Sequence, residues 1–261
     1  MRRLRPLSAL LLLLVAAIAT AGCESTFDKA AKLRAEQGTI AEVEAVDMAQ
    51  TEGITAETLA IIPSADGLMA AVVVQITSTG PGLLWAPIEV KLLDASGAEV
   101  GTNNVPGADP TLIHLPSLAE GEQALYVNDQ IAITGTPTEA KITVAGTPVT
   151  APLLPGLAVT NQVVTEDPSF GTTWTATVTN DTAVRQEQVI VQAILRDGDT
   201  ITSAGIAIVA GLDPGASADV QGFFIGSNKG ELEVFAPAGN AADGSGAPSP
   251  EQAGDATVSM Q

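Results

Sequence analysis

The 261-residue sequence holds one cysteine, Cys23, and one histidine, His114. One cysteine excludes an internal disulfide, and the two counts together exclude a metal centre built from several Cys and His ligands. Aromatic residues are scarce, with two Trp, one Tyr and five Phe. That argues against exposed ring platforms that stack on sugars or bases. Positive charge is scarce as well, eleven Lys and Arg against thirty Asp and Glu. Nucleic acids are held through basic surface, so they are excluded as partners. Gly-x-Ser-x-Gly, a glycine-rich phosphate loop and His-Glu-x-x-His are all missing.

What is present begins at the N-terminus. Met1-Arg2-Arg3-Leu4-Arg5 is basic, and an apolar run from Leu7 to Ala19 follows, broken only by Ser8. Thr20, Ala21 and Gly22 are small. Basic, apolar and then small is the order of a secretory signal peptide. The run of 13 residues is shorter than the roughly 20 that span a bilayer, so residues 1–22 read as a cleaved leader. Arg2-Arg3 is followed by Leu4-Arg5-Pro6, which fits a twin-arginine signal poorly and favours the general export route.

Ala21-Gly22-Cys23 resembles the lipobox of bacterial lipoproteins, with Thr20 where leucine is commonest. The resemblance implies cleavage between Gly22 and Cys23 and a diacylglyceryl group on the Cys23 thiol. Two acyl chains hold a protein stably to a membrane where one does not. The expected location is the extracytoplasmic face of the cell membrane, with the membrane engaged through the lipid on Cys23. Removing residues 1–22 takes Arg2, Arg3 and Arg5 and no acidic group, leaving a formal charge of −22. Lys29, Lys32 and Arg34 lie close behind Cys23. They suit either contact with anionic headgroups or a solvated helix face balanced by Asp28 and Glu36.

Residues 23–38 read as the lipidated N-terminus and a short helical spacer, with Ser25 and Asp28 as a capping box and Gly38 as a stop. Residues 39–150 then read as strands: Ile40–Val46, Ile54–Ile62, Met69–Thr77, Ile88–Leu93, Ala124–Ile133 and Ala140–Ala145. Gly101–Ser117 reads as a long connection, either a binding loop or a plain closure with His114 and Leu115 packed inward. Its part from Asn103 to Asp109 is expected to be replaceable by a Gly/Ser linker. Pro152 and Pro155 mark a linker over 151–156. A second strand-rich region covers 157–237. Within it Thr172–Asn180 alternates strictly, with Trp174, Ala176 and Val178 on one face, and Arg196-Asp197-Gly198-Asp199 reads as a hairpin turn. Residues 238–261 are small, polar and aperiodic, and read as a disordered acidic tail.

The order of strand, Thr/Asn-rich turn, strand, Asp-Gly hairpin and strand recurs at a period near 100 residues. The fold class expected is all-β: two tandem immunoglobulin-like β-sandwich domains after the leader and spacer. A fragment covering about 155–237 is expected to fold alone. Leu93-Asp94-Ala95-Ser96-Gly97 and Arg196-Asp197-Gly198 are similar to the Tyr-Asp-x-x-Gly hairpin of FxLYD-like bacterial surface domains, without its tyrosine. "VNDQ" (Val127–Gln130) and "FFIG" (Phe223–Gly226) resemble segments of actinobacterial cell-surface lipoproteins. The resemblance implies surface localisation and no particular activity.

Candidates for chemistry are few. His114 sits among apolar neighbours in "LIHLP", which favours packing over a role as base or ligand. Asp94, Asp197 and Asp199 belong to turns, and their spacing matches no calcium loop. Asn180-Asp181-Thr182 is a glycosylation-type triplet that also reads as a turn. The sequence therefore points to a noncatalytic protein without cofactor or metal, binding or spacing an envelope protein or polymer. The alternatives are a solute-binding lipoprotein of a transporter, whose usual strand–helix alternation is missing here, and an acidic-residue hydrolase.

Overall fold

"MAAVVVQITS" and "VIVQAILRD" are near-continuous apolar runs, whereas "GTTWTATVT" alternates, and this difference organises the molecule. A computed structural model describes residues 48–105, 110–167 and 171–246. Cys23, the 25–37 helix, the Ile40–Val46 strand and the chain beyond 246 lie outside the described residues. Among the described residues every regular element is a β-strand except one 3₁₀ turn, Pro110–Ile113. The described residues all fall within one compact unit.

The first seven strands are β1 (Ile54–Pro63), β2 (Met69–Ser78), β3 (Leu83–Leu93), β4 (Glu99–Thr102), β5 (His114–Leu118), β6 (Gln123–Ala132) and β7 (Glu139–Val144). They build one sandwich. Its first sheet runs β1-β2-β6, and in its second sheet β3 pairs with β4, β5 and β7. The next seven are β8 (Ala158–Asp167), β9 (Gly171–Thr179), β10 (Val189–Asp197), β11 (Thr200–Val209), β12 (Ser217–Phe223), β13 (Ile225–Gly226) and β14 (Glu231–Phe235). Their sheets run β12-β9-β8 and β13-β11-β10-β14. The two halves share one topology. In each, the second strand lies between the first and a later strand, β6 or β12, while the third pairs with both its hairpin partner and the last strand; β5, which adds to β3, and β13, which adds to β11, have no counterpart in the other half. All pairings are antiparallel. The repeat read from the sequence is a repeat of architecture.

The hairpins form for local reasons. Asp94 Oδ1 accepts hydrogen bonds from the Ser96 N–H, the Ser96 hydroxyl and the Ala98 N–H at 2.8, 2.6 and 3.0 Å. Gly97 follows with φ +82°, a left-handed conformation that suits glycine. In β9, Trp174, Ala176 and Val178 are buried in the second core as the alternation requires.

Each sandwich has its own core. The first gathers Val72, Val74 and Ile76 of β2 with Ile88, Val90 and Leu92 of β3 and Ile131 of β6. The second gathers Trp174, Ala176 and Val178 with Val189, Val191 and Ala193 of β10. A third apolar cluster joins the two sandwiches. Ala71, Val73 and Val127, on the far face of the first sheet, pack with Ile194, Ile201, Ala204 and Ile206 on the far face of the β10–β11 sheet. β2 and β10 are thus buried on both faces, the condition under which a strand carries an unbroken apolar run.

Three expectations need correction. Residues 151–156 are not a free linker: Leu153 bridges Ala241, and the Ala242 N–H donates to the Pro152 carbonyl at 2.9 Å. The tail does not begin at 238, because Ala238 and Ala241 are fully buried and Gln186 Oε1 accepts from the N–H groups of Gly239 and Asn240. Small residues suit that site, since they let the chain lie close to its neighbours. Nor is Gly101–Ser117 one long loop. It contains the end of β4, the 3₁₀ turn and most of β5.

Candidate functional site

His114 opens β5, opposite Pro87 of β3. Its ring stacks on Trp85, with centroids 5.7 Å apart and planes at 28°. Leu115 beside it is buried in the first core, whereas His114 is half-buried on the opposite face of the strand, so of the two residues expected to pack inward only Leu115 does so. Asn103 is also buried, and its side chain substitutes for ladder bonds. Its Oδ1 accepts from the Val90 N–H at 2.7 Å, and its Nδ2 donates to the Ile88 carbonyl at 2.9 Å and the Tyr126 hydroxyl at 3.0 Å. The Tyr126 hydroxyl donates in turn to the Leu112 carbonyl, which also receives Asn128 Nδ2. Burial pushes the Tyr126 phenol up to about 12, so it stays a neutral donor. A Gly/Ser linker from Asn103 onward would break this network, and the expectation that 103–109 is replaceable is withdrawn.

The acidic candidates do not converge. Asp94 is occupied by its turn, and Asp197 and Asp199 are exposed on either side of Gly198. Among the described residues no group of three or more His, Cys, Asp or Glu could hold a metal ion. Asn180 is fully buried, and its Nδ2 donates to the carbonyls of Val184 and Leu212 at 2.9 and 2.8 Å. The triplet that begins there is a turn, with its amide turned into the protein.

Two groups missed by sequence reasoning lie where the sandwiches meet. Asp129 of β6 reaches across to the second sandwich, and its Oδ2 accepts from the Ile206 N–H of β11 at 3.1 Å. Its Oδ1 is buried without a hydrogen-bond partner. Burial pushes its carboxyl up to about 6, against hydrogen bonds from Ile206, its own N–H and Gln130. "VNDQ" stands out as a segment in the sequence, but only tertiary placement shows that its half-buried acid carries a buried, unpartnered Oδ1.

Gln192, in the centre of β10, is the second group. It shares a face with Ile194, so it points toward the first sandwich. The side chain is 1% exposed, and its Oε1 has no partner. It lines a cleft of about 550 Å³ between β5 and β6 on one side and β8, β14 and residues 153–157 on the other. Leu118, Leu125, Leu154, Val159 and Phe235 supply apolar wall, and Glu122 is its one ionisable lining residue. That volume lies within the range of small-molecule sites.

The sequence matches no protein-family model and no curated protein.

The buried acid has a consequence for stability. The folded carboxyl titrates near 6 and the unfolded one near 3.9, so the native state binds the proton more readily. Stability is therefore lost as pH rises from about 4 to 6, by up to about 3 kcal/mol at about 1.4 kcal/mol per pKa unit. Asp129→Asn should remove this loss. Urea unfolding across that window should show the wild type falling more steeply than the variant, and parallel curves would mean that Asp129 does not titrate there.

Proposed function

We propose that this is a lipid-anchored protein of the extracytoplasmic membrane face that binds or spaces another envelope component without catalysis. The observation that carries the location is Ala21-Gly22-Cys23 at the end of a leader-like apolar run. The lipid on Cys23 holds the chain, and the acidic surface limits nonspecific adhesion to anionic polymers and headgroups. The role as a binder or spacer is supported by two sandwiches packed into one unit and by turns and packing that use the candidate residues structurally. On this reading the chain belongs with FxLYD-like surface lipoproteins.

The test is Cys23→Ser in the native host, with radiolabelled fatty acid and membrane fractionation. The wild type should incorporate label and sediment with membranes. The variant should lose the label and either stay unprocessed or appear in the soluble fraction. Equal maturation and membrane retention would defeat the anchor.

A further inference from the structure

The cleft between the sandwiches combines three properties that bear on what it could hold. Apolar side chains share its wall with polar groups, its ionisable lining is the single exposed Glu122, and the amide oxygen of Gln192, a lining residue, is buried without a partner. Gln192 is held there by its register: it pairs with Ile206 on one side and Phe235 on the other. An acceptor desolvated without a hydrogen bond is costly to the fold, and a ligand donor that shifted the side chains covering Gln192 Oε1 would recover that loss. No Lys, Arg or His lines the cleft, so a carboxylate or phosphate would be desolvated with no counter-charge.

We infer that this cleft binds a neutral amphiphile, an apolar chain bearing a hydroxyl head, with the hydroxyl donating to Gln192 Oε1 and the chain lying against Leu118, Leu125, Leu154 and Phe235. This goes beyond the anchoring role and is independent of Cys23.

The chain from residue 23 onward, purified with Cys23→Ser so that it carries no acyl group, is the material for the test. Calorimetric titration would compare monodecanoylglycerol, methyl decanoate and decanoate, which share a chain and differ in head. The glyceride should bind saturably at one site, with the ester, which lacks a donor, and the anion each about tenfold weaker or more. Gln192→Leu should bring the glyceride down to the level of the ester. Gly156→Phe serves as the second variant. Gly156 lines the cleft and is not left-handed, and a Cβ there would meet only the Ala236 carbonyl oxygen, at 3.5 Å, so a ring can be added to the cleft's lining without backbone strain. This variant should fold and lose binding of the glyceride. The inference is overturned by no saturable binding of the glyceride, by decanoate binding as tightly, or by undiminished binding in folded Gly156→Phe. Because the protein tested has no lipid, these outcomes are separate from the fate of the Cys23 anchor.

Discussion

Trp174→Ala is expected to cost about 3–5 kcal/mol, the usual range for a large aromatic removed from a core, which would consume much of the stability of a domain this size. Trp174 is fully buried in β9 and tilts against Phe224, with ring centroids 6.4 Å apart. Its indole lies close to two glycines, Gly222 on the adjacent strand β12 and Gly205 on β11 of the other sheet. A Cβ at Gly222 would fall 2.6 Å from the ring, and one at Gly205 would fall 3.1 Å from Nε1. The second core is thus a large side chain seated on two absent ones, and the cavity left by alanine could not be filled by nearby small residues. Chemical denaturation should show the loss. The converse change, Gly222→Val, should also destabilise by overpacking the same place. A loss under about 1 kcal/mol for Trp174→Ala would mean that the core closes around the gap.

Ile194→Asp should have an effect of similar size by another route. Ile194 is fully buried in the cluster between the sandwiches, and a carboxylate there is desolvated without a cation. We expect a loss of at least about 3 kcal/mol and new protease sensitivity in both halves, because each loses its cover. Native-like proteolysis would mean that the interface is dispensable. The same cluster revises the expectation that 155–237 folds alone. That fragment would expose Ile194, Ile201, Ala204 and Ile206 together and would lack Ala238 and Ala241, so it should self-associate rather than behave as a free domain.

The strand content was legible because its signals are local. Thr172–Asn180 alternates, Asp94–Gly97 and Gly198 punctuate, and the order of turns repeats, so the all-β class and the repeated topology follow from neighbours in the sequence. What was not legible depends on partners far along the chain. β5 is hidden in the sequence because Pro116 and a single histidine interrupt it, yet the residues on either side of Pro116, Leu115 and Ser117, pair with Ala86 and Leu84 of β3. Asn103 looks like a loop residue until Tyr126 and Ile88 are placed around it. The joining of the sandwiches had one visible signal: "AAVVV" and "VIVQAIL" are apolar at successive positions, too much for a strand with one wet face. Gln192 interrupts the second run, and that polar residue in a doubly buried strand marks the cleft.

The outermost strands carry one more consequence. β1 and β8 stand at equivalent edges of the two repeats, and each breaks its pairing register, between Thr58 and Ala60 and between Thr160 and Val163. Asn161, inside the second break, takes φ +53°. Such kinks deny a neighbouring chain a straight run of free amides and carbonyls. Molecules crowded side by side at high density would then slide past one another rather than zip into continuous ribbons, and a protein whose described regular elements are nearly all strands would keep its individuality at concentrations where flat edges would polymerise.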